Sequence, residues 1–252
     1  MRYRLDDFSD SWIIPEEPVP ESAWHDGCLE LVKALLSWWV QRSARDAAVF
    51  RDIAVLAKRE RPRVGFNPDV CLVEPAPPGA NVLESLRLWE HTTPRWAFEA
   101  VSPNHPYKDY AVVPEKCAIV GVEELVVFDP LLAGPRAQGG PWLLQLWRRA
   151  ADGTFERVQA GGAPVHSAVL DAWLIPDPTA RRLTVAGRED GSDRWLTAAE
   201  HAHAEAGTAR AEADIARAEA EQARDAERLA RAAEADALAR VRALEAELAG
   251  KR

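Results

Sequence analysis

The stretch Trp96-Ala97-Phe98-Glu99-Ala100-Val101 decides how this chain is read, because it sets one carboxylate inside an otherwise apolar run. Bulky apolar residues bounded by Pro94 and Pro103 describe a buried strand. A carboxylate there is costly unless a cation meets it. An ion pair with Arg95 or Lys108 is one solution, and ligation of a metal ion is the other. Upstream, Asn67-Pro68-Asp69-Val70 opens a second apolar run, Val70-Cys71-Leu72-Val73. Asp69 could cap the turn after Pro68, or it could stand beside Glu99 as a second carboxylate on a neighbouring strand.

Outward from this pair, the pattern predicts a mixed sheet with helices against it. Pro15, Pro18 and Pro20 keep the first twenty residues extended or turned, and Leu31, Leu35 and Trp38/Trp39 at helical spacing predict a helix over about 22–43. Val49-Phe50 and Ile53-Ala54-Val55-Leu56 read as one strand. Residues 108–120, ending at Gly121, read as a helix, and Leu125-Val126-Val127-Phe128 as a buried strand closed by Asp129-Pro130. Strands over 142–149 and 154–159 are joined by the hairpin dipeptide Asp152-Gly153, and 168–187 holds the last pieces. The expected class is α/β, a central mixed sheet flanked by helices. Lys58-Arg59-Glu60-Arg61-Pro62-Arg63 reads either as a charged hairpin loop or as a grip on phosphates.

No Trp, Phe, Tyr or Pro occurs after Trp195. A core is therefore expected in residues 1–196, with residues 197–252 as a separate Ala-rich helix. In heptads, Ala202, Ala209, Ala216, Ala223, Ala230, Ala237 and Leu244 share one seam position, and Ala206, Ala213, Ala220, Glu227, Glu234, Val241 and Leu248 the other. Arg210, Arg217, Arg224 and Arg231 flank one side, and Glu205, Glu212 and Glu219 the other, so a parallel pair would set Glu205 across from Arg210. A coiled-coil homodimer is the expectation, against a solvated single helix held by pairs such as Glu227–Arg231.

The formal net charge of −9 argues against a protein that coats nucleic acid through bulk charge, while leaving room for a local basic cleft. Cys28, Cys71 and Cys117 form no C-x-x-C pair. The acidic start MRYRLDDFSD and the absence of a long apolar run lead to the expectation of a cytoplasmic protein with no membrane segment.

Asp69 and Glu99, joined by Lys116 from the following helix, make a set suited to phosphodiester hydrolysis with Mg²⁺ or Mn²⁺. Hard oxygens hold such a cation, and an ammonium offsets charge in the transition state. Pro68-Asp69-Val70, Phe98-Glu99-Ala100-Val101-Ser102-Pro103-Asn104, Lys108-Asp109, Glu115-Lys116, Gly121-Val122-Glu123-Glu124-Leu125 and Phe128-Asp129-Pro130 occur in an order and spacing that resembles the Uma family of proposed restriction endonucleases, in the PD-(D/E)XK nuclease superfamily. The resemblance covers roughly residues 20–190. It implies a restriction-endonuclease-like core acting on nucleic acid, DNA above all, with Asp69 and Glu99 as metal ligands and the carbonyl of Ala100 as a further metal contact. The lysine that usually stands two residues after the second acid is replaced by Val101. Lys116 takes its part by migration to the helix, with Val120 where a tyrosine often follows. Glu30 is the candidate acidic ligand from the first helix, and His25 stands where relatives often have a histidine. The alternative is a nuclease-fold interaction or scaffold protein that oligomerises through its tail.

Overall fold

The computed structural model describes residues 7–15 and 22–250, the side chains of 247–250 aside, so that Pro18 and Pro20 lie outside the described residues. Helix α1 spans Ala23–Arg42. Ser22 begins it as a side-chain N-cap, its hydroxyl accepting the His25 N–H at 3.2 Å. Cys28, Leu29, Val32, Leu35 and Leu36 supply its buried stripe at helical spacing. Strands β1 (Ala48–Arg51), β2 (Ala54–Lys58), β3 (Arg61–Phe66), β4 (Val70–Val73), β5 (Ser85–Arg87) and β6 (Trp96–Ala100) follow. Helix α2 (Val113–Val120) and β7 (Glu124–Phe128) come next, then β8 (Leu144–Arg149), β9 (Phe155–Gly161), β10 (Val165–Ser167), β11 (Ala172–Asp177), β12 (Arg182–Ala186) and α3 (Ala198–Gly250).

The main sheet has the order β1-β4-β6-β7-β8-β9, with β6 and β7 parallel and their other neighbours antiparallel. This is the expected α/β arrangement, with a central mixed sheet. Period-two alternation divides its core into two faces. Val70, Leu72, Trp96, Phe98, Ala100, Val126 and Phe128 pack with the stripe of α1 and with β10–β12. Cys71, Val73, Ala97, Val101, Leu125 and Val127 pack on the other face with α2 and with β2, β3 and β5. That second face is the one Glu99 shares with Ala97 and Val101, so its carboxylate is directed into a dry layer.

Two expectations about strands are corrected, and a third gains its bounds. The single strand over 49–56 is broken at Asp52, whose φ of +52° turns the chain. β1 stays in the main sheet, and β2 joins a three-stranded sheet of order β3-β2-β5. The charged stretch 58–63 is the tip of a β-hairpin, as one of its readings had it, with Arg59-Glu60 as the turn and Arg61 already in β3. The pieces over 168–187 belong to a third sheet, β10-β11-β12, that starts earlier, at Val165. Buried Glu124 links this sheet to the main one: its carboxylate accepts the Ser167 hydroxyl and the Ala168 N–H and pairs with Arg148 at 2.7 Å.

The chain divides into two compact units, residues 1–198 and 199–252. The second is essentially α3, whose described side chains from Ala202 to Ala246 are exposed, Ile215, Leu229, Val241 and Leu244 among them. Ion pairs within the helix join Arg231 to Glu227 and Arg240 to Asp236. No helix among the described residues is long and apolar enough to cross a membrane.

Candidate active site

Asp69 and Glu99 converge where β4 begins and β6 ends. Both are buried, at 5 % and 0 % exposure. The Ala100 N–H donates to Asp69 Oδ2 at 2.7 Å, and the Asp69 N–H donates to Glu99 Oε1 at 3.4 Å. Each carboxylate thus takes a hydrogen bond from the other's stretch of backbone, which fixes the pair to the sheet.

Two further groups complete the cluster. A single π-helical turn over Lys108–Val112 precedes α2. Pro114 explains it: proline has no N–H to give the carbonyl four residues back, and its ring clashes with that carbonyl, so the turn widens. The widened turn directs Lys108 and Asp109 at the acid pair. Lys108 Nζ lies 3.4 Å from Glu99 Oε2 and 3.4 Å from Asp109 Oδ1. Asp109, 2 % exposed, also accepts the Ser102 N–H at 3.3 Å. Tyr110 anchors the turn from behind, its hydroxyl donating to buried Asp129 at 2.8 Å while its ring stacks on Trp142.

From α1, buried His25 reaches the same point. Its Nε2 lies 2.8 Å from the Ala100 carbonyl oxygen and 3.4 Å from Asp69 Oδ2. A ring N–H at Nε2 donates to that carbonyl, so His25 bears on two of the oxygens expected as ligands.

Electrostatics follow from this crowding. Burial, then the Asp69 charge, raises the Glu99 pKa well above the ordinary carboxylate range, with Lys108 opposing. Burial raises Asp109 to about 7, again against Lys108. The Glu99 charge, more than any other cause, raises Lys108 and keeps it protonated. Burial and the nearby Asp69 push the Cys28 thiol up to about 12, and burial likewise raises Cys71 and Cys117, so the three thiols are inert.

Asp69, Glu99 and Ala100 come together. Lys116 lies with its Nζ 5.3 Å from the centre of the Trp12 ring, and the ammonium within ion-pair distance of Glu99 among the described residues is that of Lys108. Glu30 is exposed and pairs with Arg51 at 2.6 Å. Arg95, the other rival partner of Glu99, pairs with Glu123 and Glu74. Asp109 and His25 are the members that pattern reading did not assign to the site. Pro114 inside a helical pattern was the available signal for the first. For the second, the signal was the histidine that the resemblance places at the start of the first helix.

Whether these residues suit a divalent cation can be tested on unmet polar atoms. Glu99 Oε2 and Asp109 Oδ1 are buried and receive no hydrogen bond. Three buried carboxylates face one lysine, an excess of negative charge that protonation or a cation must offset. Among the described residues no three His, Cys, Asp or Glu side chains form a metal cage by themselves. A cation here would take a few protein oxygens and complete its shell with water and substrate, the habit of Mg²⁺.

No family model matches the chain, and no curated protein matches it. Among solved structures, a DUF820 protein from Anabaena variabilis, described as a presumed nuclease, is similar over 65 % of this chain and 81 % of its own, with 15 % identity and a TM-score of 0.45.

Proposed function

We propose that the chain is a metal-dependent endonuclease with a restriction-endonuclease-like core that hydrolyses phosphodiester bonds in DNA. In this reading Asp69, Glu99 and the Ala100 carbonyl hold Mg²⁺ or Mn²⁺, and Lys108 is the cation at the reacting phosphate. The observation that carries it is the buried cluster in which Glu99 Oε2 and Asp109 Oδ1 share one ammonium, Lys108 Nζ at 3.4 Å from each, so that carboxylates outnumber the cation. The order of motifs from Pro68 to Pro130 supports the choice of substrate. When bound, the cation would polarise a phosphoryl oxygen and acidify water.

The chain's own residues have separable tasks. The Ala100 N–H holds Asp69 Oδ2, and His25 braces both that oxygen and the Ala100 carbonyl, so the ligand set is oriented in advance. Lys108, about half exposed, faces solvent as well as Glu99, and from there it can offset charge that develops on phosphate oxygens. Asp109, with a pKa of about 7, suits a proton acceptor at neutral pH.

Calorimetric titration with Mn²⁺ and plasmid cleavage test the reading together. The native chain is expected to bind the ion and nick DNA, and Asp69→Asn to bind at least about 10-fold more weakly. A native chain that neither binds Mn²⁺ nor cuts would refute the nuclease assignment and leave the scaffold alternative.

The tail carries a separate expectation. A parallel homodimer through α3 would bury the exposed Ala, Val and Leu seam and face Glu205, Glu212 and Glu219 with Arg210, Arg217 and Arg224. An alanine seam buries little area per heptad, so the pair should be weak and concentration-dependent. Analytical ultracentrifugation is expected to find dimers of the full chain and monomers after removal of residues 198–252. An identical mass distribution per chain for both would rule the tail out of assembly.

A further inference from the structure

The nuclease reading leaves unexplained a group of basic side chains on the β2–β3 hairpin. Lys58 and Arg61 are directly opposite each other across the ribbon. Like charges so placed are destabilising. Arg63, two residues on along β3, shares the face of Arg61 by strand alternation, and Arg59 stands exposed in the turn. Asp10 is the acid seated here, 2.7 Å from Lys58 and 3.2 Å from Arg61. Arg61 nevertheless remains 60 % exposed at its side chain. In a chain of net charge −9, a hairpin tip that sets Arg59 and Arg61 in solvent beside Lys58 breaks a local rule of sheet design, and such breaks concentrate where something binds.

The ribbon is also connected to the acid cluster. β3 runs from Arg61 to Phe66, and only Asn67 and Pro68 separate its end from Asp69. Trp12 lies alongside, its carbonyl accepting the Gly65 N–H, and Lys116 stands over its ring. Arg61, Arg63, Lys116 and Lys108 thus mark successive points from the turn to Glu99. The strand rise of about 3.3 Å per residue puts the turn on the order of 20–25 Å from Asp69. At about 3.4 Å per step along one strand of duplex, that is roughly six or seven base steps.

We propose that the β2–β3 hairpin is a phosphate-gripping arm that holds the backbone of duplex DNA about half a helical turn from the bond being cut. Resting on the nuclease reading, the arm gives Lys116 a role as an intermediate cation on the path and makes binding separable from chemistry. A globally acidic chain needs such a local contact to hold a polyanion at all.

The test is fluorescence anisotropy of a labelled duplex DNA of two helical turns, titrated with native chain, with the double variant Arg59→Glu/Arg61→Glu and with Arg188→Glu as a charge control, over a series of salt concentrations. The double variant should bind at least about 10-fold more weakly, and the magnitude of its slope of log affinity against log salt should fall by about 2, one for each lost phosphate contact. Its Mn²⁺ affinity by calorimetry and its melting temperature should match those of the native chain. Equal DNA affinity and slope in the double variant and the native chain would overturn the arm, as would an equal loss in Arg188→Glu. A native chain that binds duplex through the hairpin but shows no metal-dependent cleavage would sink the nuclease reading and leave the arm standing.

Discussion

Glu99→Gln is expected to melt at a higher temperature than the native chain at neutral pH in the presence of a chelator, and to lose metal-dependent DNA cleavage altogether. The two effects have one cause. Glu99 is fully buried, Asp69 lies beside it, and Lys108, which it shares with Asp109, only partly offsets its charge, so its ionised form is unfavourable in the folded state. Glutamine keeps the shape and the oxygen that accepts the Asp69 N–H, and it removes the charge. Above both its unfolded and its folded value, each unit by which the folded state raises a carboxyl pKa subtracts about 1.4 kcal/mol of stability, and glutamine removes that cost, a gain of a few degrees in Tm for a chain of this size.

The pH dependence has an unusual sign. A carboxyl whose folded pKa is raised keeps its proton in the native state after the unfolded chain has lost it, so stability falls as pH rises between the two values. For Asp109 that window runs from about 4 to about 7, and Glu99 acts in the same direction from its ordinary value of 4.5 upward. Thermal melts of the metal-free chain should show Tm falling across this range, with a shallower fall in Glu99→Gln. Saturating Mn²⁺ should restore the native chain at pH 7 and leave Glu99→Gln nearly unmoved, since a ligand for the folded state stabilises only what it binds. Cleavage by Glu99→Gln equal to that of the native chain would remove Glu99 from the site.

The parts of this arrangement that pattern reading found are those where a local rule is broken in a fixed frame. Glu99 interrupts an apolar strand, and strand alternation then commits it to the buried face with Ala97 and Val101. The helix over 23–42 was legible because Ser22 caps it and its apolar stripe is regular. What escaped depends on departures from regularity. Asp52 adopts a left-handed φ, which let one apparent strand become two in different sheets. β3 was obscured by Pro62 and its charges, which suit the edge position it holds beside β2. Glu30 was the candidate for the first-helix acid that the resemblance implies, but its carboxylate pairs with Arg51 on β1. His25 was marked only by its place in the resemblance, since its contact with the Ala100 carbonyl lies 75 residues away in sequence.

The lysine yields the sharpest comparison of variants. The resemblance assigns the part to Lys116, whereas the π turn ahead of Pro114 sets Lys108, already a possible partner of Glu99 in the sequence, beside that carboxylate. Lys116 feels the same cluster from further out: burial first, and then repulsion from Lys108, lower it to about 8 against the attraction of Glu99, while its ammonium rests on Trp12. Lys108→Met should therefore lower kcat for DNA cleavage on the order of 10²–10³-fold, the usual cost of deleting one preorganised charge at a developing oxyanion. It should also destabilise the metal-free chain, because Glu99 and Asp109 lose their shared counter-charge. Lys116→Met should act through KM, weakening capture of DNA along the path from the hairpin with kcat within a few-fold of native. Steady-state kinetics of both variants, with Mn²⁺ titrations to confirm that the carboxylates still bind the ion, decide between the lysines. A collapse of kcat in Lys116→Met with Lys108→Met near native would reverse the assignment and require α2 to turn toward Glu99 when DNA binds.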